Sequence, residues 1–195
     1  MSYCQRHGYD FKMLKEPHLH VPDGIYWLSV TGSLESLTEG YDAVVSLDVD
    51  QLVTNMEFKL PAWGHGFHIS KDWGVDAVEP WQFSACGFAA HRDCIPFLNE
   101  VISLEPEFRG KPFPEQAPMQ HVFRSKTDGL KMVNNVEKLT GMFNIHPRKV
   151  FNCVPDQVCP GAVPEPWAPG DWCAHLTMVD LPRRIQIAKE ILGKL

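Results

Sequence analysis

Two carboxylates and one imidazole form the most reactive pattern in this 195-residue sequence. Asp48 and Asp50 close an apolar run (Ala43, Val44, Val45, Leu47) within YDAVVSLDVDQLVTN. Side chains two apart in a strand project to the same side, so the two carboxylates can share one cation. Hard oxygen ligands suit Mg²⁺ or Mn²⁺, which are held by one or two carboxylates while substrate phosphates complete the shell. Far along the chain, Gly170-Asp171-Trp172-Cys173-Ala174-His175 leads from a glycine turn into a short apolar strand that delivers an imidazole. As a third ligand, His175 favours Mn²⁺ over Mg²⁺, because imidazole is softer than carboxylate. The plainer alternatives are a solvated turn at 48–50 and a hydrogen-bonded core histidine at 175.

The elements around these residues decide whether they can meet. The β-branched run at 43–47 reads as a strand buried on both faces of a parallel sheet. In open α/β sheets ligands collect at the carboxyl ends of strands, where Asp48 and Asp50 stand. A strand is expected in HGYDFKML, and a helix over Ile25 to Glu39 with Gly40 as its stop. FSACGFAAH reads as a second apolar strand, followed by a helix from Ile95 to Ile102; Ala117 to Phe123 reads as another helix, just after Pro114, Glu115 and Gln116. From Phe151 to Gly170 five prolines and two glycines mark a long loop of the functional kind. Leu181 to Leu195 closes the chain as an amphipathic helix. The whole of 1–195 reads as a single α/β domain.

Composition narrows the partners. A formal net charge of −6 with scattered Lys and Arg argues against a phosphate-tracking nucleic-acid surface. No apolar stretch approaches the roughly 18 to 20 residues needed to span a bilayer, and MSYCQRHGYD is not a signal peptide, so the chain reads as soluble as written. Its localisation is left open, cytoplasmic if the protein is bacterial or viral. The six cysteines contain no CxxC pair and read as free thiols, with a Cys153–Cys159 loop as the alternative in an oxidising compartment. His65 and His68, like His18 and His20, read as loop residues rather than ligands. Trp73, Trp81 and Trp167 are the aromatic candidates for a ligand-stacking platform, with core packing as the commoner use.

HGYDF, YDAVVSLDVDQLVTN, PEQAPMQHVF, NIHPRKVFNCVP and PGDWCAHL occur in the order of the signature blocks of a known family. The sequence resembles the galactosyltransferase/mannosyltransferase family that includes yeast α-mannan and plant xyloglucan xylosyltransferases. That resemblance spans nearly the whole chain and implies a GT-A-type α/β fold, with a mostly parallel central sheet flanked by helices. It implies transfer of a hexose or pentose from a nucleotide-diphosphate donor to a glycan or other hydroxyl acceptor, with retention at the anomeric carbon. By the same resemblance Asp48 and Asp50 bind metal and donor diphosphate, His175 is the third metal ligand, and Gly170 and Asp171 lie with the donor. Glu115 and Gln116 match the acidic-Gln pair beside the donor sugar, Gln116 steadying the anomeric centre. Front-face attack is the expected route to retention; a covalent route would use Glu115 or Asp72.

Three departures accompany the match. Ala85-Cys86-Gly87 stands where relatives carry Asn-Thr-Gly. The lysine found after the metal histidine has no counterpart in 176–181, although Arg183 and Arg184 follow closely and could reach a diphosphate. Relatives have a first strand before HGYDF that contacts the base and ribose, so the sheet is expected to lack it. Together these features carry the alternative reading, a non-catalytic or truncated carbohydrate- or nucleotide-binding relative. A metal-dependent phosphoesterase is disfavoured, because the sequence shows no second cluster for a two-ion site.

Overall fold

The computed structural model describes residues 2–15, 24–72, 83–127, 142–158, 160 and 165–195. Among them helices α1 (Tyr3–His7), α2 (Leu28–Glu39), α3 (Ile95–Ser103), α4 (Glu105–Phe108), α5 (Gln116–Thr127) and α6 (Leu181–Leu192) accompany six strands. The strands are β1 (Ala43–Leu47), β2 (Gln51–Val53), β3 (Phe67–Lys71), β4 (Phe83–His91), β5 (Phe143–His146) and β6 (Cys173–His175). A four-stranded sheet runs in the order β1-β4-β3-β5, and β2 pairs with β6 in a second, two-stranded sheet. This is the α/β architecture expected: a central sheet with helices packed on it.

Strand direction differs from expectation. Within the described strands only β3 and β5 are parallel, whereas β1–β4, β3–β4 and β2–β6 are antiparallel. The apolar run of β1 reflects packing on two sides: Val44 contacts the helix-side core, and Val45 and Leu47 contact the cluster on the other face. Such burial is indifferent to strand direction. β1 is also an edge strand and only partly buried, while central β4 is buried from Phe83 to Ala90. A kink where the β3–β4 register shifts between Ile69 and Ser70 bends this pair.

Three further expectations are corrected. HGYDFKML holds no strand, because Ser2 and Gln5 form a reciprocal capping box that starts α1 and Gly8, at φ 72°, ends it. Tyr3 and His7 then anchor that helix to the carbonyls of Phe58 and Met56. β3 is a strand in a segment whose histidines suggested loop, and β5 is a strand where none was expected. His68 is buried within β3, so it is not a solvated loop residue.

Two cores hold the site. Phe67, Phe88, Phe97, Phe123 and Phe143 interlock between the sheet and α3 and α5, and truncating a ring as enclosed as Phe67 is expected to cost about 3–5 kcal/mol. On the opposite side, Cys153, Val154, Trp167, Ala174 and Leu176 pack against Ile187 and Ile191 of α6. Asp180 caps α6 by accepting the Arg183 N–H at 2.9 Å. No helix among the described residues is long and apolar enough to cross a membrane.

Candidate metal and donor site

β1 ends in a tight turn. The Asp48 carbonyl accepts the Gln51 N–H at 3.0 Å, and the Asp48 N–H is shared between the Cys86 carbonyl and Gln51 Oε1, each at 2.9 Å. Gln51 Nε2 reaches across to the Phe151 carbonyl. This side chain therefore ties the acidic turn to the start of the long proline-rich loop. Gly87, opposite Leu47 on β4, makes the room: a Cβ there would lie 3.1 Å from the Gln51 amide and 3.2 Å from Phe151 Cβ.

Antiparallel pairing of β2 with β6 places Gln51 opposite His175, and the Leu176 N–H donates to the Asp50 carbonyl at 2.9 Å. Asp48, Asp50 and His175 consequently offer ligand atoms that all lie within 4.8 Å of one another. The structure thus brings His175 to Asp48 and Asp50, from which it is separated by more than a hundred positions in the sequence.

The chemistry of this cluster depends on which imidazole nitrogen carries a proton. His175 Nδ1 lies 2.8 Å from Asn152 Oδ1 in a buried setting. Asn152 Nδ2 donates to the Lys71 carbonyl at 3.3 Å, which orients the amide so that its oxygen meets His175. Nδ1 is therefore the donor, and in the neutral ring Nε2 presents a lone pair. It points toward Asp50 Oδ1 at 3.4 Å. That carboxylate oxygen is buried and has no hydrogen-bond partner. Two lone pairs facing each other at this distance require a cation, or a second ring proton, between them.

Charge at the site reinforces the same point. Burial works to raise the Asp50 pKa, but a proton on His175 Nε2 and the Arg184 guanidinium, 3.2 Å from Oδ2, outweigh it and hold the carboxyl below its usual range. Asp48 is pushed the other way, up to about 8, by desolvation and then by the carboxylates of Asp50 and Glu115. Water reaches the exposed Asp48 side chain, which tempers the desolvation and leaves the like-charge repulsion. A divalent cation would relieve that repulsion, so the donor set of two carboxylates and one neutral imidazole fits Mn²⁺ or Mg²⁺.

The other expected site residues distribute differently. Glu115 lies close enough to Asp48 to affect its charge; its Oε2 is buried without a partner, and burial raises its pKa. Gln116 uses Oε1 to accept the Ala85 N–H at 2.9 Å, bracing β4. Asp171 turns inward: its Oδ2 accepts from Lys149 Nζ, the Ala168 N–H and Cys153 Sγ. The Gly170 carbonyl, at a φ of 101°, accepts from Asn55. Gly170 and Asp171 therefore brace the turn that leads to β6, and the structure does not bring Asp171 into the metal cluster. Asp72 accepts from Arg148 through its carbonyl. Arg184 is the cation that joins the site, whereas the Arg183 N–H serves the α6 cap.

Of the aromatic candidates, Trp167 is buried and donates to Thr54 Oγ1 at 3.1 Å, which is core packing; Trp73 and Trp81 lie outside the described residues. An open pocket of about 350 Å³ instead adjoins Glu115, lined by Tyr26, Lys111, Pro112, Phe113 and Pro114. Tyr26 and Phe113 are both exposed, and Phe113 takes a φ of 55°, a strained value for a bulky side chain. Neither ring was foreseeable from the sequence, because nothing in local pattern marks an exposed aromatic as pocket lining.

No protein-family model and no curated protein sequence matches this chain. A solved structure does: a glycosyltransferase involved in the glycosylation of the major capsid of PBCV-1. The likeness has a TM-score of 0.63 at 15% identity and covers 96% of this chain and 87% of that one. This chain has a glycosyltransferase fold. At that identity the likeness establishes the fold and leaves the chemistry to the site.

Proposed function

We propose that this protein is a metal-dependent glycosyltransferase that moves a sugar from a nucleotide-diphosphate donor to a hydroxyl acceptor, with retention of anomeric configuration. The observation that carries the reading is the convergence of Asp48, Asp50 and His175, whose ligand atoms all lie within 4.8 Å of one another at the end of β1. The glycosyltransferase fold and the order of the family-like blocks support it.

Asp48, Asp50 and His175 would hold the ion, Mn²⁺ in preference to Mg²⁺ because of the imidazole. Bound there, it supplies Lewis acidity that offsets charge developing on a departing diphosphate. Asn152 keeps the His175 lone pair directed at the site. Arg184, paired with Asp50 and about one-third exposed, is positioned to exchange that contact for a diphosphate oxygen. Gln51 and Gly87 fix the turn from which both carboxylates project. The Tyr26 and Phe113 rings offer apolar faces of the kind that sugar C–H surfaces pack against, next to Glu115. In this reading the pocket takes the acceptor.

Calorimetric titration with UDP and GDP, with and without Mn²⁺, tests the assignment and identifies the base. Metal-dependent binding of one nucleotide is expected, together with its loss in a folded Asp50→Ala variant. A folded wild-type protein that binds neither nucleotide in the presence of Mn²⁺ would sink the enzyme reading.

A further inference from the structure

The other end of β1 carries a second group of metal-ligating side chains. Ala43 pairs with His91 and Leu47 with Gly87, so roughly 13 Å of strand separates this end from the acidic turn. His91 closes β4, Asp93 follows in the 3-10 turn Arg92–Cys94, and His65 enters from the segment before β3. Their ligand atoms also lie within 4.8 Å of one another.

The contacts within this group are specific. His65 Nδ1 is 3.3 Å from Asp93 Oδ2, and His91 Nδ1 is 3.2 Å from Asp93 Oδ1. The two imidazoles meet edge to face, with centroids 4.7 Å apart. Ligand bonds of about 2.1 Å in a tetrahedral zinc site put neighbouring ligand atoms about 3.4 Å apart, close to both distances. His91 Nδ1 also accepts the Asp93 N–H at 3.5 Å, capping the turn. Asp93 is held in place by the Gly66 N–H, 3.1 Å from Oδ1, and by the Cys94 thiol.

We propose that His65, His91 and Asp93 form a second divalent-metal site, suited to Zn²⁺, that ties the Gly64–Gly66 segment to the end of β4. Two imidazoles and one carboxylate are a borderline donor set that favours zinc over the hard ions expected at the acidic turn, with water left to fill the fourth position. His65 is 81% exposed, so ion binding must order it, and the site is weaker than a preorganised one. Zinc bound only by the folded chain raises its stability by mass action.

The test is calorimetric titration of untagged, chelator-stripped protein with ZnCl₂, alongside thermal unfolding. Wild type should bind one equivalent more than His91→Ala. An Asp48→Asn/Asp50→Asn double variant should still bind one equivalent and gain thermal stability from it, and adding His91→Ala should remove both effects. Equal stoichiometry for wild type and His91→Ala overturns the proposal, as does a folded double variant that takes up no zinc. If the double variant does not fold, the comparison of wild type with His91→Ala decides alone. The reading of the acidic turn stands or falls separately, on nucleotide binding.

Discussion

Two clusters of metal-ligating side chains sit at opposite ends of one edge strand, and they differ both in composition, two carboxylates and one imidazole against two imidazoles and one carboxylate, and in what surrounds them. At the acidic turn, His175 is buried and its ring is oriented by Asn152, which is itself oriented by the Lys71 carbonyl. Asp50 is largely enclosed and engaged by Arg184, and Gln51 locks the turn between them. At the far end, His65 is largely exposed and Asp93 half-exposed, the carboxylate being braced by the Gly66 amide and the Cys94 thiol. Ligand identity alone does not make a site. Enclosure and outer hydrogen bonds set how much ordering remains to be done when an ion arrives.

This contrast can be broken from the inside. His175→Ala removes the only nitrogen donor at the acidic turn, and Mn²⁺-dependent nucleotide binding should fall below detection by calorimetry while Zn²⁺ uptake at the far end is unchanged. Loss of both would merge sites that the strand separates. Asn152→Ala leaves every ligand in place but releases the ring; Mn²⁺ affinity should drop by about 10- to 100-fold, making the inner site behave more like the outer one. Unchanged affinity in a folded Asn152→Ala protein would mean that the ring needs no such bracing.

Smaller effects sharpen the comparison further. Gly87→Ala pushes against Gln51 and Phe151, and the overpacking should cost about 1–3 kcal/mol in chemical denaturation and weaken nucleotide binding with it. Asp171→Ala removes acceptor contacts to Lys149 and the Ala168 N–H, so stability should fall by about 1–2 kcal/mol. Nucleotide affinity should stay within about twofold of wild type, because that carboxylate faces the loop. A large loss of affinity without loss of stability would return Asp171 to the donor site.

The inner site was legible in the sequence as far as its ligands go. An apolar run ending in Asp48-Val49-Asp50 announces a strand with an acidic end, and the glycine turn before His175 announces a second strand. What the sequence hid was everything set by tertiary pairing. Asn152 carries no local mark of its contact with His175, and Arg184, singled out together with Arg183 for its position, is told apart from Arg183 only by the tertiary contact it makes with Asp50. His91 and Asp93 were likewise unreadable as partners of His65, since β4 must lie beside β3 for them to meet. Strand direction was misread because apolar run length reports burial on two faces and not polarity of the neighbour. β3 and β5 were missed because FHISK and FNIH are short and interrupted by polar residues, although pairing in the sheet encloses Phe67 and Phe143.

The most direct test of the central claim is anomalous diffraction at the manganese edge from crystals grown with Mn²⁺ and the nucleotide diphosphate that binds. The account predicts one strong peak in contact with Asp48, Asp50 and His175 Nε2, with His175 Nδ1 still bonded to Asn152. A nucleotide bound with no manganese at that position, and His175 Nε2 hydrogen-bonded directly to Asp50, would contradict it.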